Sequence, residues 1–120
     1  NKDSLDEKKI TDILDKFEAS VPKLNNDIFF NYYGYLLIDH EIDPRKGVEM
    51  VQKALEISPD SPYYEDSLAW GYFKLGECKK AKGIMSHAMK DVDFRTSKEA
   101  KEHLHLIERC IINLKKRLKK

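Results

Sequence analysis

The chain has 120 residues, 41% of them hydrophobic and 36% charged, and its 22 basic and 21 acidic residues leave a formal charge of +1. This length and balance predict one folded, helix-rich domain and exclude a disordered tail. No apolar run is long enough to span a bilayer, and the near-neutral charge argues against a nucleic-acid footprint over the whole surface. The chain begins with asparagine and shows no signal peptide, so we expect a processed chain or an excised domain.

Residues that commonly begin helices divide the first half of the chain into three predicted helices. Ser4 and Glu7 form a capping-box pair ahead of an apolar stripe at helical spacing, made of Ile10, Ile13, Leu14 and Phe17. The segment Asn25–Asp27 offers caps for a second helix. Asp43 followed by Pro44 has the pattern of an N-cap with proline in the first turn. The predicted helices are Ser4–Ser20, Asp27–His40 and Pro44–Ser58.

The second half of the chain predicts three more helices from similar signals. Ser61 followed by Pro62 repeats the cap-and-proline pattern, and Gly76 is suited to end the helix that starts there. Thr96 with Glu99 forms another capping box before the last helix. No alternating strand pattern of useful length occurs, so we predict an all-α fold of about six helices with short connections. The predicted helices of this half are Pro62–Leu75, Cys78–Lys90 and Thr96–Lys119.

Two helix pairs in the middle of the chain repeat one another. The segment Tyr33–Leu37 corresponds to Leu68–Tyr72 at an offset of 35 residues, and the second position of each is small, as Gly34 and Ala69. At an offset of 34, three positions of the following helix also correspond, namely Gly47, Val51 and Ala54 with Ala81, Met85 and Ala88. Small residues let helix backbones approach closely. The repeat therefore predicts two helical hairpins whose helices cross at these small positions.

This repeat resembles the tetratricopeptide repeat (TPR) family, whose unit is a helix–turn–helix of about 34 residues with small and aromatic residues at set positions. The chain departs from the pattern at Glu65, which replaces a large aromatic residue, at Asp93, which replaces the closing proline, and at Gly47, which replaces an alanine. The phrases around Gly34 and Trp70 look most like bacterial members. The matching residues are Phe30, Tyr33, Gly34, Leu37, Gly47, Val51, Ala54 and Pro59 in the first repeat, and Leu68, Ala69, Tyr72, Ala81, Met85 and Ala88 in the second.

The resemblance implies a solenoid of helical hairpins, arranged as a right-handed superhelical array with a C-terminal capping helix. A single domain over residues 1–120 would then have four parts. They are a leading helix in 1–26, repeat 1 in 27–61, repeat 2 in 62–95, and a long capping helix with a basic end in 96–120.

The concave face of such an array is built mainly from the first helix of each pair, which predicts a binding groove. When the positions that pack the helices together are removed, the remaining faces of the two first helices correspond at an offset of 35. They form a strip of aromatic residues interleaved with polar ones, which is what a groove for a peptide or helix needs. The predicted anchors are Tyr32, Tyr35, Tyr63, Trp70 and Phe73, and the predicted polar residues are Asn31, Asp66, Ser67 and Lys74.

Two further observations bear on this groove. Trp70 and Tyr35 could instead pack against each other and against the last helix, so that they fill the groove themselves. Some members of the family bind a C-terminal carboxylate with a clamp of lysine, arginine and asparagine. The corresponding positions here do not provide that clamp, so a ligand ending in clustered acids is not favoured; these positions are Asn31, Tyr35, Ser67, Glu99 and His103.

The sequence predicts neither a metal site nor a cofactor site. His103 and His105 are two residues apart, which on a helix places them roughly 200° apart, so they cannot share one ion. The other candidate ligands have no metal-binding spacing; they are His40, His87, Cys78 and Cys110.

The chain also lacks the patterns of an enzyme. Cys78 begins a helix and precedes two lysines, which favours a thiolate, but no histidine or acid stands in a helping arrangement. We therefore expect an idle, partly exposed thiol and, with only two cysteines, no disulfide framework. No phosphate-binding loop, serine elbow or paired-carboxylate motif occurs, so we predict a protein that is not an enzyme.

The last helix carries two features that suggest other functions. Leu114–Lys120 holds five basic side chains, and without them the rest of the chain has 17 basic and 21 acidic residues, a formal charge of −4. Such an end either binds an anionic partner or complements the helix dipole. A narrow apolar seam, whose first half is expected to cap the second repeat and whose second half could overhang it, runs along Leu104, Ile107, Ile111, Leu114 and Leu118.

Together these observations predict a non-catalytic scaffold that binds a peptide or helix of a partner protein in its groove. Two alternatives stay open, namely self-assembly through the terminal helices and anion binding by the basic tail. Nucleic acid and direct membrane contact are not expected as partners. If the two cysteines are unpaired, they fit a reducing compartment slightly better. The expected compartment is the cytoplasm, or the bacterial periplasm if a signal sequence has been removed.

Overall fold

The computed structural model describes residues 2–20 and 25–119, with side chains from residue 7 onward within those ranges. Its helices are α1 (Lys2–Ser20), α2 (Asp27–Asp39), α3 (Pro44–Ile57), α4 (Pro62–Lys74), α5 (Cys78–Ala88), α6 (Val92–Arg95) and α7 (Lys98–Leu118). No strand occurs in the described residues, so the all-α prediction is confirmed. The helix that the sequence did not predict is α6, a single turn within the connection before α7. None of the described helices is both long enough and apolar enough to cross a membrane.

Several helix ends lie where the sequence placed them. The carboxylate of Asp43 accepts a hydrogen bond from the backbone N–H of Lys46 at 3.1 Å, and the hydroxyl of Ser61 accepts one from that of Tyr64 at 3.3 Å. Both residues are N-caps followed by proline, as predicted. Gly76 has a φ of +83°, a conformation that favours glycine and ends the α4 region.

The start of α7 differs from the prediction. Its N-cap is Ser97, whose hydroxyl accepts a hydrogen bond from the backbone N–H of Ala100 at 3.2 Å. Thr96 instead ends α6, and its hydroxyl donates to the carbonyl of Asp93 at 2.8 Å. The turn of α6 therefore uses the residue expected to cap α7. At the other end of the chain α1 begins at Lys2, ahead of Ser4, whose side chain lies outside the described residues.

The first hairpin, α2 and α3, is held together by a close crossing of two glycines. A Cβ atom on Gly34 would lie 2.6 Å from the carbonyl oxygen of Gly47, and one on Gly47 would lie 2.7 Å from the carbonyl oxygen of Gly34. Side chains at either position would separate the helices. The predicted crossing at small residues is therefore confirmed for this hairpin.

The second hairpin, α4 and α5, packs on the first and continues its core. Ala69 and Ala81, the small residues of its repeat, are fully buried. Gly71 lies against Val48 and Ile38 of the first hairpin, where an added Cβ would come within 3.0 Å of both side chains. The main core runs from these residues to α7, where Ala100 and Ile107 are fully buried and Leu104 and Ile111 partly buried; its members in the two hairpins are Ile38, Val48, Val51, Ala69, Trp70, Tyr72, Ala81, Met85 and Ala88.

A second core joins α1 to the first hairpin. Leu14 is buried in it and Ile10 and Phe17 pack at its edge, as the apolar stripe predicted. Ile13, the fourth residue of that stripe, is 41% exposed. The buried residues of this core are Leu14, Phe30, Tyr33, Leu37, Met50 and Ala54.

The cysteines correct the sequence prediction of an idle thiol. Cys78 at the start of α5 is bonded to Cys110 in α7, with their Cα atoms 6.2 Å apart, and Cys78 is buried. The two residues lie 32 positions apart, and only the packing of α7 against α5 brings them together. The disulfide therefore joins the second hairpin to the last helix.

Candidate functional site: an acidic pocket between α2, α4 and α7

A small pocket lies where α2 and α4 meet the first turn of α7. Its volume is about 190 Å³. We name it the acidic pocket, and it is lined by Asn31, Tyr35, Tyr63, Asp66, Ser67 and Glu99. Five of these six residues belong to the predicted groove, and Glu99 comes from α7.

A buried histidine–aspartate pair lies next to this pocket. Nδ1 of His103 lies 2.8 Å from Oδ1 of Asp66, and both side chains are buried. Burial by itself lowers the pKa of His103, but the hydrogen bond and charge of Asp66, with the charges of Glu99 and Asp39, outweigh it, so the pKa lies above its usual value. The pair fixes α7 against α4 and orients the Asp66 carboxylate.

Tyr35 connects α2 to the same charges. Its hydroxyl donates to Oε1 of Glu99 at 3.4 Å. Burial, together with the negative charges of Asp39, Glu99 and Asp66, raises the pKa of Tyr35 well above its usual range. Three carboxylates from three helices therefore act on one hydroxyl, which marks this corner of the molecule as negatively charged.

One polar side chain of the pocket, that of Asn31, lacks a hydrogen bond. It lies one helical turn before Tyr35 on α2, and its Oδ1 atom is buried with no hydrogen-bond partner among the described residues. A buried acceptor without a partner carries a desolvation cost of about 1–3 kcal/mol.

Trp70 lies behind the pocket, inside the fold. Its ring is stacked between those of Phe73 and His103, with centroids 4.8 Å and 4.2 Å away. Its Nε1 donates to Oδ1 of Asp39 at 3.1 Å, and the residue is only 7% exposed. This packing against the last helix is the second of the two arrangements that the sequence allowed for Trp70.

The remaining groove residues are distributed over three places. Tyr63 is 58% exposed at the mouth of the pocket, where its ring contacts that of Phe94 edge to face. Lys74 lies 5.1 Å from the centre of the Trp70 ring and forms an ion pair with Glu41. Tyr32 is also exposed, but it lies on the α1 side of α2.

That α1 side has a separate apolar hollow of about 340 Å³. Its lining residues are Phe17, Asn26, Ile28, Phe29 and Tyr32. The structure therefore brings Asn31, Tyr35, Tyr63, Asp66 and Ser67 together and leaves Tyr32, Trp70, Phe73 and Lys74 outside the acidic pocket.

Sequence reasoning did not predict Glu99 and His103 as members of the site. Their positions were identified as facing inward, but they were tested only against a basic clamp. The signal that could have found them is their spacing of four residues, which places both on one face of α7. Donor atoms of Asp66, Glu99 and His103 lie within 4.8 Å of one another, and such a set could hold a metal ion. As a metal ligand, His103 was considered from the sequence only together with His105.

No protein-family model matches this chain, and no curated protein matches it. The resemblance to the TPR family therefore rests on the residues quoted above.

Proposed function

We propose that this chain is a TPR-family member whose two hairpins, in 27–61 and 62–95, stack as a right-handed superhelical array capped by α7. Its proposed function is that of a non-catalytic scaffold, which binds a peptide or helix of a partner protein along α2 and α4. The supporting observation is the acidic pocket on the predicted concave strip, with the exposed aromatic ring of Tyr63 at its mouth. Exposed aromatic residues beside partly buried polar groups are the usual anchors of such sites.

The proposal can be tested without knowing the natural partner. Peptides selected from a random display library on the wild-type protein would be measured by fluorescence anisotropy against two variants. Tyr63→Ala removes the exposed ring at the pocket, and Ile57→Ala removes an exposed apolar side chain at the end of α3 as a matched control.

We expect the enriched peptides to bind Tyr63→Ala at least about fivefold more weakly than wild type, since a buried aromatic anchor contributes 1 kcal/mol or more. Ile57→Ala should bind them like wild type. Failure to enrich any peptide, or equal binding by wild type and Tyr63→Ala, would contradict the proposed groove.

Self-association is a second candidate, favoured by the free end of α7. Leu118 is 83% exposed and Ile112 is also exposed, while a hollow of about 300 Å³ runs along the same helix beside Leu106 and Leu114. Light scattering at increasing protein concentration tests it. A mass that rises in wild type but not in Leu118→Ser would support assembly through α7, and a constant monomer mass would exclude it.

A further inference from the structure

A hollow of about 300 Å³ on the C-terminal half of α7, which we name the α7 hollow, shares no lining residue with the acidic pocket. Its wall on the α4 side is Phe73, whose ring is stacked on that of Trp70 with centroids 4.8 Å apart. The disulfide to Cys78 holds α7 in place at Cys110, which is one of the lining residues. The lining is therefore anchored to the core on both sides.

The α7 residues of this hollow form two adjacent rows. Within each row the residues are four positions apart, so they follow one another along the surface of the helix. One row is apolar, and the other is polar with a cation at each end. The apolar row is Leu106, Cys110 and Leu114, and the polar row is Arg109, Asn113 and Arg117. The two arginines are eight residues apart, which is about 12 Å along the helix axis.

The positive charge beside the hollow is not neutralised within the described part of the chain. Neither Arg109 nor Arg117 forms an ion pair there, and no acidic residue of the described ranges lines the hollow. Glu108, next to Arg109 in the chain, is paired instead with Lys82 of α5 at 3.2 Å. An occupant of the hollow would therefore have to bring negative charge.

The apolar row is incompletely covered. Leu106 is 43% exposed, and Cys110 and Leu114 are partly exposed, whereas the neighbouring Ile107 is fully buried in the core. Removing apolar surface of this kind from water is favourable. The hollow thus offers an apolar contact flanked by two cations.

We infer that the α7 hollow binds an amphipathic helix of another protein, in which an apolar residue has an acidic residue four positions before it and another four positions after it. Helices commonly pack by placing rows of residues four apart into each other's grooves, so such a row fits between the two rows of α7. Its carboxylates would be spaced like Arg109 and Arg117, and its apolar side chain would cover the apolar row. This site is separate from the groove along α2 and α4 and goes beyond the function proposed above.

A second copy of this chain does not supply that pattern. Acidic residues eight positions apart occur three times in the sequence, and the residue midway between them is never apolar; the midway residues are Thr11, Arg45 and Arg95. Self-association through α7 would therefore depend on other contacts, such as those of Leu118. The charge and spacing of the hollow point to a different protein.

A lipid bilayer is another anionic partner, and the shape of α7 favours it less. The exposed large apolar residues among the described part of this helix are Leu106, Ile112 and Leu118. They are six positions apart, so each is turned about 240° from the one before, and the three face different directions. A flat membrane surface could meet only one of them at a time, whereas a helix fits the hollow beside Leu106.

The experiment follows backbone amide shifts by NMR on the full, oxidised chain labelled with ¹⁵N. The probe is a helical peptide of alanine and glutamine that carries glutamate, leucine and glutamate at four-residue spacing. Its control has the same composition, but the second glutamate is moved two positions towards the leucine and so lies on another face. We expect saturable shifts at the amides around Leu106, Cys110 and Leu114 with the probe, and at least about threefold weaker binding of the control. Added salt should weaken the binding of the probe.

Two pairs of variants assign the binding to the hollow. Arg117→Gln removes a charge that lines it, and Lys115→Gln removes the same charge from the same helix outside it. Leu106→Ala and Ile112→Ala remove side chains of nearly equal exposure, 43% and 45%, but only Leu106 lines the hollow. We expect affinity for the probe to fall about two- to fivefold in Arg117→Gln and in Leu106→Ala, and to stay unchanged in their controls. All four positions are exposed, so the variants should fold.

Four results would overturn the inference. The first is the absence of a saturable shift with the probe, and sedimentation of the protein with phosphatidylglycerol vesicles in that case would assign this end of α7 to a membrane. The second is equal binding of the probe and its control. The third is an equal loss of affinity in Arg117→Gln and Lys115→Gln, which would indicate diffuse attraction to the basic end. The fourth is a shift of the same amides on dilution without peptide, which would show that a second copy fills the hollow. The groove proposal is tested at Tyr63 and does not depend on any of these results.

Discussion

At the scale of single residues, His103 and Asp66 form a hydrogen-bonded pair of buried ionisable side chains. Both side chains are buried, so each would be costly to leave without the other. The pair also supports the stacked ring of Trp70, whose centroid lies 4.2 Å from that of His103. Residues of this kind stabilise the fold and shape the neighbouring pocket at once.

The raised pKa of His103 gives a pH dependence of stability with a defined sign. Because the folded-state pKa lies above the unfolded value of about 6.5, the stabilising contribution is complete below pH 6.5. It is lost as the pH rises through the folded-state pKa. Urea unfolding across this window should show the free energy of unfolding falling in wild type.

Two matched variants test this fall in the free energy of unfolding with rising pH. His103→Gln should abolish the fall. His105→Gln should keep it, because His105 is an exposed neighbour on α7. An NMR titration of the His103 ring checks the pKa directly. A ring that titrates at or below the ordinary value would contradict the assignment.

Glycine provides a residue-scale test of the hairpin crossing. Gly34→Ala would bring a Cβ within 2.6 Å of the Gly47 carbonyl oxygen, so the backbones must shift, and we expect unfolding free energy to fall by about 1–3 kcal/mol. Gly83→Ala on α5 meets nothing within 4 Å and should raise it by about 0.5–1 kcal/mol. Chemical denaturation of the two variants measures both. A Gly34→Ala variant as stable as wild type would show that the helices do not cross so closely.

At the scale of the helical elements, two adjacent hydroxyl residues before α7 have different roles, since Ser97 caps α7 and Thr96 ends α6. Ser97→Ala removes the N-cap bond to Ala100 and should destabilise the protein by about 1 kcal/mol. Thr96→Ala removes a hydrogen bond at an exposed position and should cost less than about 0.5 kcal/mol. Thermal unfolding of both variants compares them. A larger loss of stability in Thr96→Ala than in Ser97→Ala would show that Thr96 is the N-cap of α7, as the sequence predicted.

The disulfide between α5 and α7 is the second element-scale feature that can be tested. In the chain-entropy treatment, closing a loop of 32 residues lowers the conformational entropy of the unfolded chain. This stabilises the folded state by about 3–4 kcal/mol. Reducing wild type, or replacing Cys110 by Ser, should therefore lower unfolding free energy by about 3 kcal/mol. Reductant should have no further effect on Cys110→Ser. An unchanged melting temperature of the reduced wild type would contradict this contribution.

At the scale of the whole molecule, local sequence signals predicted most of the helices and several of their ends. The caps at Asp43 and Ser61 and the glycine at 76 act within a few residues, so they can be read from the chain directly. The close crossing of Gly34 and Gly47 followed from repeated small residues, because their spacing fixes one face of each helix.

Features that depend on α7 could not be predicted in this way. The direction of the last helix is set by how it packs on α4 and α5, which no local pattern determines. That packing pairs Cys78 with Cys110 and brings Glu99 beside Asp66 and Asn31. The groove residues were predicted from the two hairpins alone, so the contribution of α7 to the pocket, through Glu99, was not predicted.

The same dependence explains why the predicted groove set separates in the structure. With α7 in place, Trp70 is enclosed by Phe73 and His103, while Tyr63 stays at the surface. The exposed strip is therefore shorter and more acidic than a uniform aromatic groove would be.

The most direct test of groove binding is photo-cross-linking of a selected peptide to the protein. A photoreactive phenylalanine analogue would replace Tyr63 at the acidic pocket in one sample and Ile112 on the free part of α7 in another. Mass spectrometry would then identify which sample captures the peptide. We expect cross-links from position 63 and none from position 112. Cross-links from position 112 alone would place binding on α7 and contradict the groove.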